Sequence, residues 1–81
     1  MRPDRPPRQR TLKGATIVFN NAKSVLDCTV RNLSTGGALL GLPTTAGVPA
    51  AFELRIPDHP PRACRVAWRL VDRIGVAFEA A

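Results

Sequence analysis

The segment Asn32-Leu33-Ser34-Thr35-Gly36-Gly37 contains the residue types that could hold a polar heterocyclic ligand. Asn32 offers an amide that both donates and accepts hydrogen bonds, and Ser34 offers a hydroxyl, so together they can bind the edge of a planar ring. Gly36 and Gly37 permit a positive φ and leave room for a ligand to approach the backbone. The same residues also suit an ordinary tight turn in which an Asn or Ser side chain bonds to its own backbone. Both interpretations stay open on the residues alone.

Arginines form the second group of candidate ligand-binding residues: Arg5, Arg8 and Arg10 near the N-terminus, and Arg31 directly before the polar segment. Guanidinium groups pair with phosphates through two parallel hydrogen bonds, match the Hoogsteen edge of guanine and stack on purines. Residues 1–13 carry five basic side chains and one acidic side chain, so most of the net charge of +6 lies there. Such an arm can wrap an anionic ligand and become ordered, and the alternative is a solvated tail. Together the two groups indicate a ligand that carries guanine and phosphate.

The elements that must position these residues are predicted to be β-strands. Beyond Gly14 the apolar residues recur with a period of two, which is typical of strands with one buried face. Antiparallel pairing is expected because parallel strands need long crossover connections, and a sheet with one apolar face must close or stack to bury it. We therefore predict an all-β fold, a small six-stranded antiparallel barrel over residues 15–81, preceded by a flexible, basic, proline-rich arm over residues 1–14. The predicted strands are 15–19, 25–33, 38–42, 51–56, 62–70 and 74–79.

Alternation also predicts which side chains fill the barrel. In the segment with the clearest alternation, 62–70, one face consists of Cys64, Val66, Trp68 and Leu70. All four aromatic residues of the chain fall on predicted inner faces, and we therefore expect Trp68 in the core and not on a ligand-binding surface. The remaining inward residues are predicted to be Ile17, Phe19, Leu26, Cys28, Val30, Phe52, Leu54, Ile56, Ile74, Val76 and Phe78.

Several classes of function are not expected from the composition. A chain of 81 residues has room for one domain and one thin core. Its one histidine and six carboxylates are scattered over turns and outer faces, and no nucleophile stands near a base, so we expect neither an enzyme nor a resident cofactor. Cys28 and Cys64 lack metal-ligand spacing and are predicted to be buried thiols, with no metal site.

The predicted location is the cytoplasm. No apolar run approaches the roughly 20 residues of a membrane-spanning helix, and the charged N-terminus has no apolar stretch typical of a secretory signal. We therefore expect no membrane insertion. Nucleic acid is also not expected as a partner, because a small basic barrel that binds RNA or single-stranded DNA usually interleaves exposed aromatic residues with its basic ones.

Taken in order along the chain, these features resemble the PilZ domain family. Its members carry an Asp/Asn-x-Ser-x-x-Gly motif, which residues 32–37 match at every defined position, and an Arg-x-x-x-Arg motif in the preceding segment. Residues 64–69 and 73–78 also resemble the family, so the similarity covers residues 5–79. It implies a receptor for cyclic di-GMP in which Asn32 and Ser34 contact a guanine and Gly37 gives close approach. The arginines would bind phosphates and guanine edges.

The arginine motif departs from the family pattern. By position, Arg10 corresponds to its second arginine, but Pro6 stands four residues before it, so Arg5 or Arg8 would have to replace the first. The leading hypothesis is a cyclic di-GMP receptor whose arm becomes ordered on the ligand and which signals through an output protein. Because some members with an incomplete motif bind proteins and not the nucleotide, an adaptor of that kind is the alternative.

Overall fold

The computed structural model describes residues 9–79, with the backbone alone for residues 9–12. The strands close into a barrel in the order β1-β2-β3-β6-β5-β4, and every neighbouring pair is antiparallel. The predicted all-β, six-stranded antiparallel barrel is confirmed. The strands are β1 (Gln9–Phe19), β2 (Ser24–Leu33), β3 (Gly37–Gly41), β4 (Ala51–Arg55), β5 (Arg62–Arg69) and β6 (Arg73–Phe78).

β1 begins earlier than the sequence pattern indicates. It starts at Gln9, so residues 9–14, predicted as the end of the arm, pair with β2 instead. Strand pairing uses backbone hydrogen bonds, which any residue except proline can donate, and the last proline of the N-terminal segment is Pro7. The composition of this stretch therefore did not indicate that it forms part of a strand. The rest of the predicted arm, residues 1–8, lies outside the described residues.

The barrel interior is filled by alternate side chains from all six strands. Each strand contributes one of the largest fully buried side chains: Ile17, Val30, Leu40, Leu54, Cys64 and Ile74. Burial of each large aliphatic side chain contributes about 1.5–3 kcal/mol. Cys28 and Cys64 are free, buried thiols as predicted. Burial raises the pKa of Cys28 to about 12 and that of Cys64 to about 11, so both stay protonated at neutral pH.

Two residues of the predicted core lie outside it. Trp68 is 47% exposed and Leu70 is 54% exposed. The pairing of β5 with β6 shifts by one residue between Val66 and Trp68, and a one-residue shift exchanges the two faces of a strand. The prediction that Trp68 and Leu70 face inward is therefore wrong, because Ala67 is an extra residue that interrupts the alternation.

A similar bulge in β2 determines where Asn32 lies. The pairing of β2 with β3 shifts between Val30 and Asn32, so Arg31 is the extra residue. Simple alternation from Val30 would turn Asn32 inward; instead the next residue, Leu33, packs against the core. Asn32 pairs with Leu39, which lies between the inward-facing side chains of β3, and so it occupies the outer face of the barrel.

Thr45 joins the β3–β4 connection to the β5–β6 turn. It is 4% exposed, and its hydroxyl donates a hydrogen bond to the Leu70 carbonyl oxygen at 2.6 Å. Its backbone N–H donates to the Val71 carbonyl at 2.8 Å, while Nη1 of Arg69 donates to the Thr45 carbonyl at 2.8 Å. These bonds fix the β5–β6 turn against the body of the barrel.

Gly37 is required by the distance between β3 and β6. A Cβ at Gly37 would overlap the carbonyl oxygen of Val76, whereas a Cβ at Gly36 would meet nothing within 4 Å. Among the described glycines, only Gly47 has a positive φ, of 91°. Gly36 and Gly37 therefore do not adopt the positive φ that glycine permits. The group that approaches Gly37 closely belongs to the neighbouring strand β6.

We expect Thr45→Val to lower the free energy of unfolding by about 1–3 kcal/mol, because valine keeps the shape but leaves the part-buried Leu70 carbonyl without this donor. Urea denaturation measures the change. Thr29→Val, at an exposed threonine of β2 for which no side-chain hydrogen bond is found within the described residues, is the control and should alter stability by no more than about 0.5 kcal/mol. Wild-type stability in the Thr45 variant would contradict the assigned role of its hydroxyl.

We expect Gly37→Ala to lower the free energy of unfolding by about 1–3 kcal/mol, since β3 and β6 must separate to admit the methyl group. Gly36→Ala is the matched control because space is open around it. Thermal unfolding followed by circular dichroism compares the two variants. The assigned close packing is wrong if both alanine variants melt at the same temperature.

Candidate functional site

One row of register partners crosses five of the six strands. Cα pairing links Arg10 of β1 to Asn32 of β2, then to Leu39 of β3, Gly75 of β6 and finally Trp68 of β5. The described strands contain three register shifts, and each adjoins a member of this row: Arg10, Asn32 or Trp68. Bulges re-aim side chains and are over-represented next to functional sites. The row is therefore the part of the barrel surface where regular pairing is most altered.

A depression of about 260 Å³ lies along this row on the outer face of the barrel. It brings together Asn32, Ser34 and Gly37, three of the residues that the sequence motif predicts. Trp68 lies on the far side of the depression, across β3 and β6. Among the residues whose side chains the structure describes, the lining is Asn32, Leu33, Ser34, Gly37, Ala38, Leu39, Ala67, Trp68, Gly75 and Val76. None of these side chains is charged, so any charge on a ligand must be matched by other residues.

Trp68 lines the depression, although the sequence pattern predicted it in the core. Its indole lies directly against Gly75, where an added Cβ would overlap the ring atoms Cε2 and Nε1. Glycine at this position lets the ring lie close to the sheet while almost half of the residue stays exposed. Such an aromatic surface can stack on a nucleobase. Only the register of β5 and β6 could have identified it, since alternation alone places Trp68 in the core.

The motif forms a tight turn between β2 and β3. The Ser34 hydroxyl donates a hydrogen bond to the Gly37 carbonyl at 3.2 Å, and the Ser34 N–H donates to the same oxygen at 2.9 Å. The Gly36 carbonyl accepts a bond from the Phe78 N–H at 2.9 Å, which ties the turn to β6. The local hydrogen bonding expected of an ordinary turn is therefore present. The exposed Ser34 oxygen can still accept a further hydrogen bond.

Of the other predicted site residues, Gly36 lies beside this depression, Arg31 lies away from it, and the arginines of the N-terminal segment have no described side chain. Arg31 turns away from it, because its Cδ would lie 3.2 Å from a Cβ at Gly41, at the opposite end of β3 from Gly37. Gly36 is exposed beside the depression without lining it. Arg5 and Arg8 fall outside the described residues. The backbone of Arg10 lies opposite Asn32.

Residues 9–79 provide neither a cluster of metal ligands nor a membrane-spanning helix. This part of the chain holds no group of three or more His, Cys, Asp or Glu residues that could bind a metal ion. It also contains no helix long and apolar enough to cross a membrane.

The barrel has a counterpart of known structure. The crystal structure of the PilZ domain of CeSA from a cellulose-synthesizing bacterium is similar with a TM-score of 0.69 and 14% sequence identity, over 94% of this chain and 83% of that chain. At this identity the similarity shows the fold alone. The sequence matched none of the curated proteins.

A family model also matches the sequence itself. The model of the PilZ domain matches residues 5–81, nearly the whole chain. PilZ domains are binding or adaptor modules rather than enzymes, and they generally bind cyclic di-GMP. From the matched residues and the topology of the barrel together, we conclude that the chain belongs to the PilZ domain family.

Proposed function

We propose that this protein is a cytoplasmic receptor for cyclic di-GMP and that one guanine of the ligand binds in the depression between Asn32 and Trp68. The observation that carries the proposal is the row of register partners, which joins the motif on β2 to an exposed aromatic ring on β5. Residues far apart in sequence thereby offer hydrogen-bonding groups and a stacking surface within one depression. This combination suits a planar, polar base.

The polar end of the depression provides base recognition. The Asn32 amide presents a donor and an acceptor side by side, which complements the mixed donors and acceptors on the edge of guanine. The Ser34 oxygen adds an acceptor next to it. At the other end, the base stacks on the Trp68 indole, and this contact does not depend on which hydrogen-bonding groups the edge of the base carries. Stacking therefore supplies affinity, and the motif supplies selectivity for guanine.

The phosphates of the ligand require cations from other parts of the chain, because no described side chain in the lining is charged. Arg10 occupies the register position opposite Asn32, and Gln9 lies opposite Leu33, so the N-terminal segment joins the barrel beside the depression. We propose that Arg10, together with Arg5 or Arg8, binds the phosphates and the Hoogsteen edges of guanine. The ligand then bridges the arm and the barrel.

This bridging offers a way to transmit the signal. A ligand that contacts both parts binds an ordered arm more tightly than a free one, and that difference in affinity shifts the population toward the ordered state. The ordered arm creates a surface that an output protein recognises. Under this proposal the nucleotide changes which partner-binding surface the barrel presents, without any change in the core.

We expect Arg10→Ala and Ser34→Ala each to weaken binding of cyclic di-GMP by about tenfold, because each variant loses one charge-assisted or polar contact with the ligand. Isothermal titration calorimetry measures the affinity. Arg65→Ala is the control: Arg65 is exposed and pairs with Glu79 at 2.9 Å, away from the depression. Unaltered affinity in both test variants would refute the assignment of these residues.

The same titration separates the receptor from its alternative. A protein-binding adaptor that has lost nucleotide binding gives no heat with cyclic di-GMP, even at a high ligand concentration. Such a result with the wild-type protein would reject the proposed function, and it would favour the adaptor.

We expect Trp68→Ala to weaken binding by about tenfold, since stacking of a base on an aromatic side chain contributes about 1–3 kcal/mol. Val71→Ala is the matched control, because Val71 is an exposed apolar residue in the same β5–β6 hairpin but does not line the depression. In the wild-type protein, Trp68 is the sole tryptophan, so ligand binding should also change the intrinsic emission. A Trp68 variant with wild-type affinity would exclude the stacking role.

A further inference from the structure

A second depression, of about 300 Å³, lies on the other side of the turn between β2 and β3. Leu33 and Ser34 line both depressions, so the two are neighbours separated only by this turn. The apolar surface of the second depression includes Ile56 and Phe78. Its polar side chains are those of Ser34, Thr35, His59 and Arg62, and among the residues that the structure describes no carboxylate lines it.

Arg62 is held in place by an aromatic ring. Its guanidinium carbon lies 4.3 Å from the centroid of the Phe78 ring, a cation–π distance. The salt bridges among the described residues involve Arg55, Arg65 and Arg73, so Arg62 forms none within residues 9–79. With one face covered by a ring and no competing carboxylate, the exposed guanidinium is available to stack on a further planar group.

The rim opposite Arg62 is formed by a rigid connection. Between β4 and β5 the chain contains Pro57, Pro60 and Pro61, which restrict the backbone. The His59 N–H donates a hydrogen bond to the Ile56 carbonyl at 3.0 Å, which closes a turn there. This turn places His59 at the rim of the depression. Its imidazole and the Thr35 hydroxyl are hydrogen-bond donors of the kind that bind phosphate oxygens.

We propose that this depression is a second purine–phosphate subsite and that it takes the second guanosine phosphate half of cyclic di-GMP, with Arg62 stacked on the base and His59 and Thr35 at the phosphate. The proposal rests on the proposed function. The two halves of the ligand are chemically identical, so a site that holds both must offer each of them a surface for stacking and groups for hydrogen bonding. The turn has Trp68 and Asn32 on one side, and Arg62 and His59 on the other.

Arg62→Ala tests this subsite directly. We expect it to raise the Kd of cyclic di-GMP about tenfold in calorimetric titration, the effect of losing one stacked base contact. Arg62→Lys keeps the positive charge but removes the planar group, so its Kd should lie between those of the alanine variant and the wild type. Arg65→Ala, on the same strand but outside the depression, should bind as the wild type does. Circular dichroism checks that every variant is folded.

His59 is the single histidine, so its imidazole resonances identify the second subsite without ambiguity. Cyclic di-GMP should shift them in the wild-type protein, while Trp68 emission reports the first depression. If the wild type binds but Arg62→Ala keeps its affinity or the His59 signals do not move, the subsite is refuted and the receptor stands. If the wild type gives neither heat nor a change in Trp68 emission, the receptor function itself is refuted.

Discussion

The site on this barrel depends on one geometric constraint: a strand has two faces, and one extra residue exchanges them. Arg31 in β2 and Ala67 in β5 are such extra residues. Without them, Asn32 and Trp68 would continue the inward alternation of Val30 and Val66. The apolar core would then have to accept an amide and a large indole, while the outer face would lose both its polar group and its aromatic surface.

The buried core stabilises the barrel in spite of these bulges. Each strand places a fully buried side chain in the interior, and Val30 of β2 keeps its inward position directly before the bulge at Arg31. The turn between β2 and β3 is tied to β6 through Phe78, and the β5–β6 turn is fixed by Thr45. Both turns are therefore anchored to the barrel by hydrogen bonds.

The positively charged side chains are not evenly distributed between the two depressions. Among the described side chains, those that line the depression along the row are neutral, whereas the depression beyond the turn has an arginine and a histidine without a carboxylate. The remaining positive charge suited to phosphate lies in the N-terminal residues, which join the barrel at Gln9, opposite Leu33. A nucleotide with two bases and two phosphates would thus draw on three separate parts of the chain, all of which meet at one turn.

The sequence alone determined the all-β class, the barrel, the polar turn and most of the core, because these follow from local alternation and turn-forming residues. It also located Asn32, Ser34 and Gly37, which lie close together in the chain. It could not determine the start of β1 at Gln9, the exposure of Trp68 or the packing of Arg62 on Phe78. Those features depend on pairing between strands distant in sequence, and a single bulge there reverses a face that alternation assigns. Only the closed barrel, through its register, decided which side chains share the outer surface.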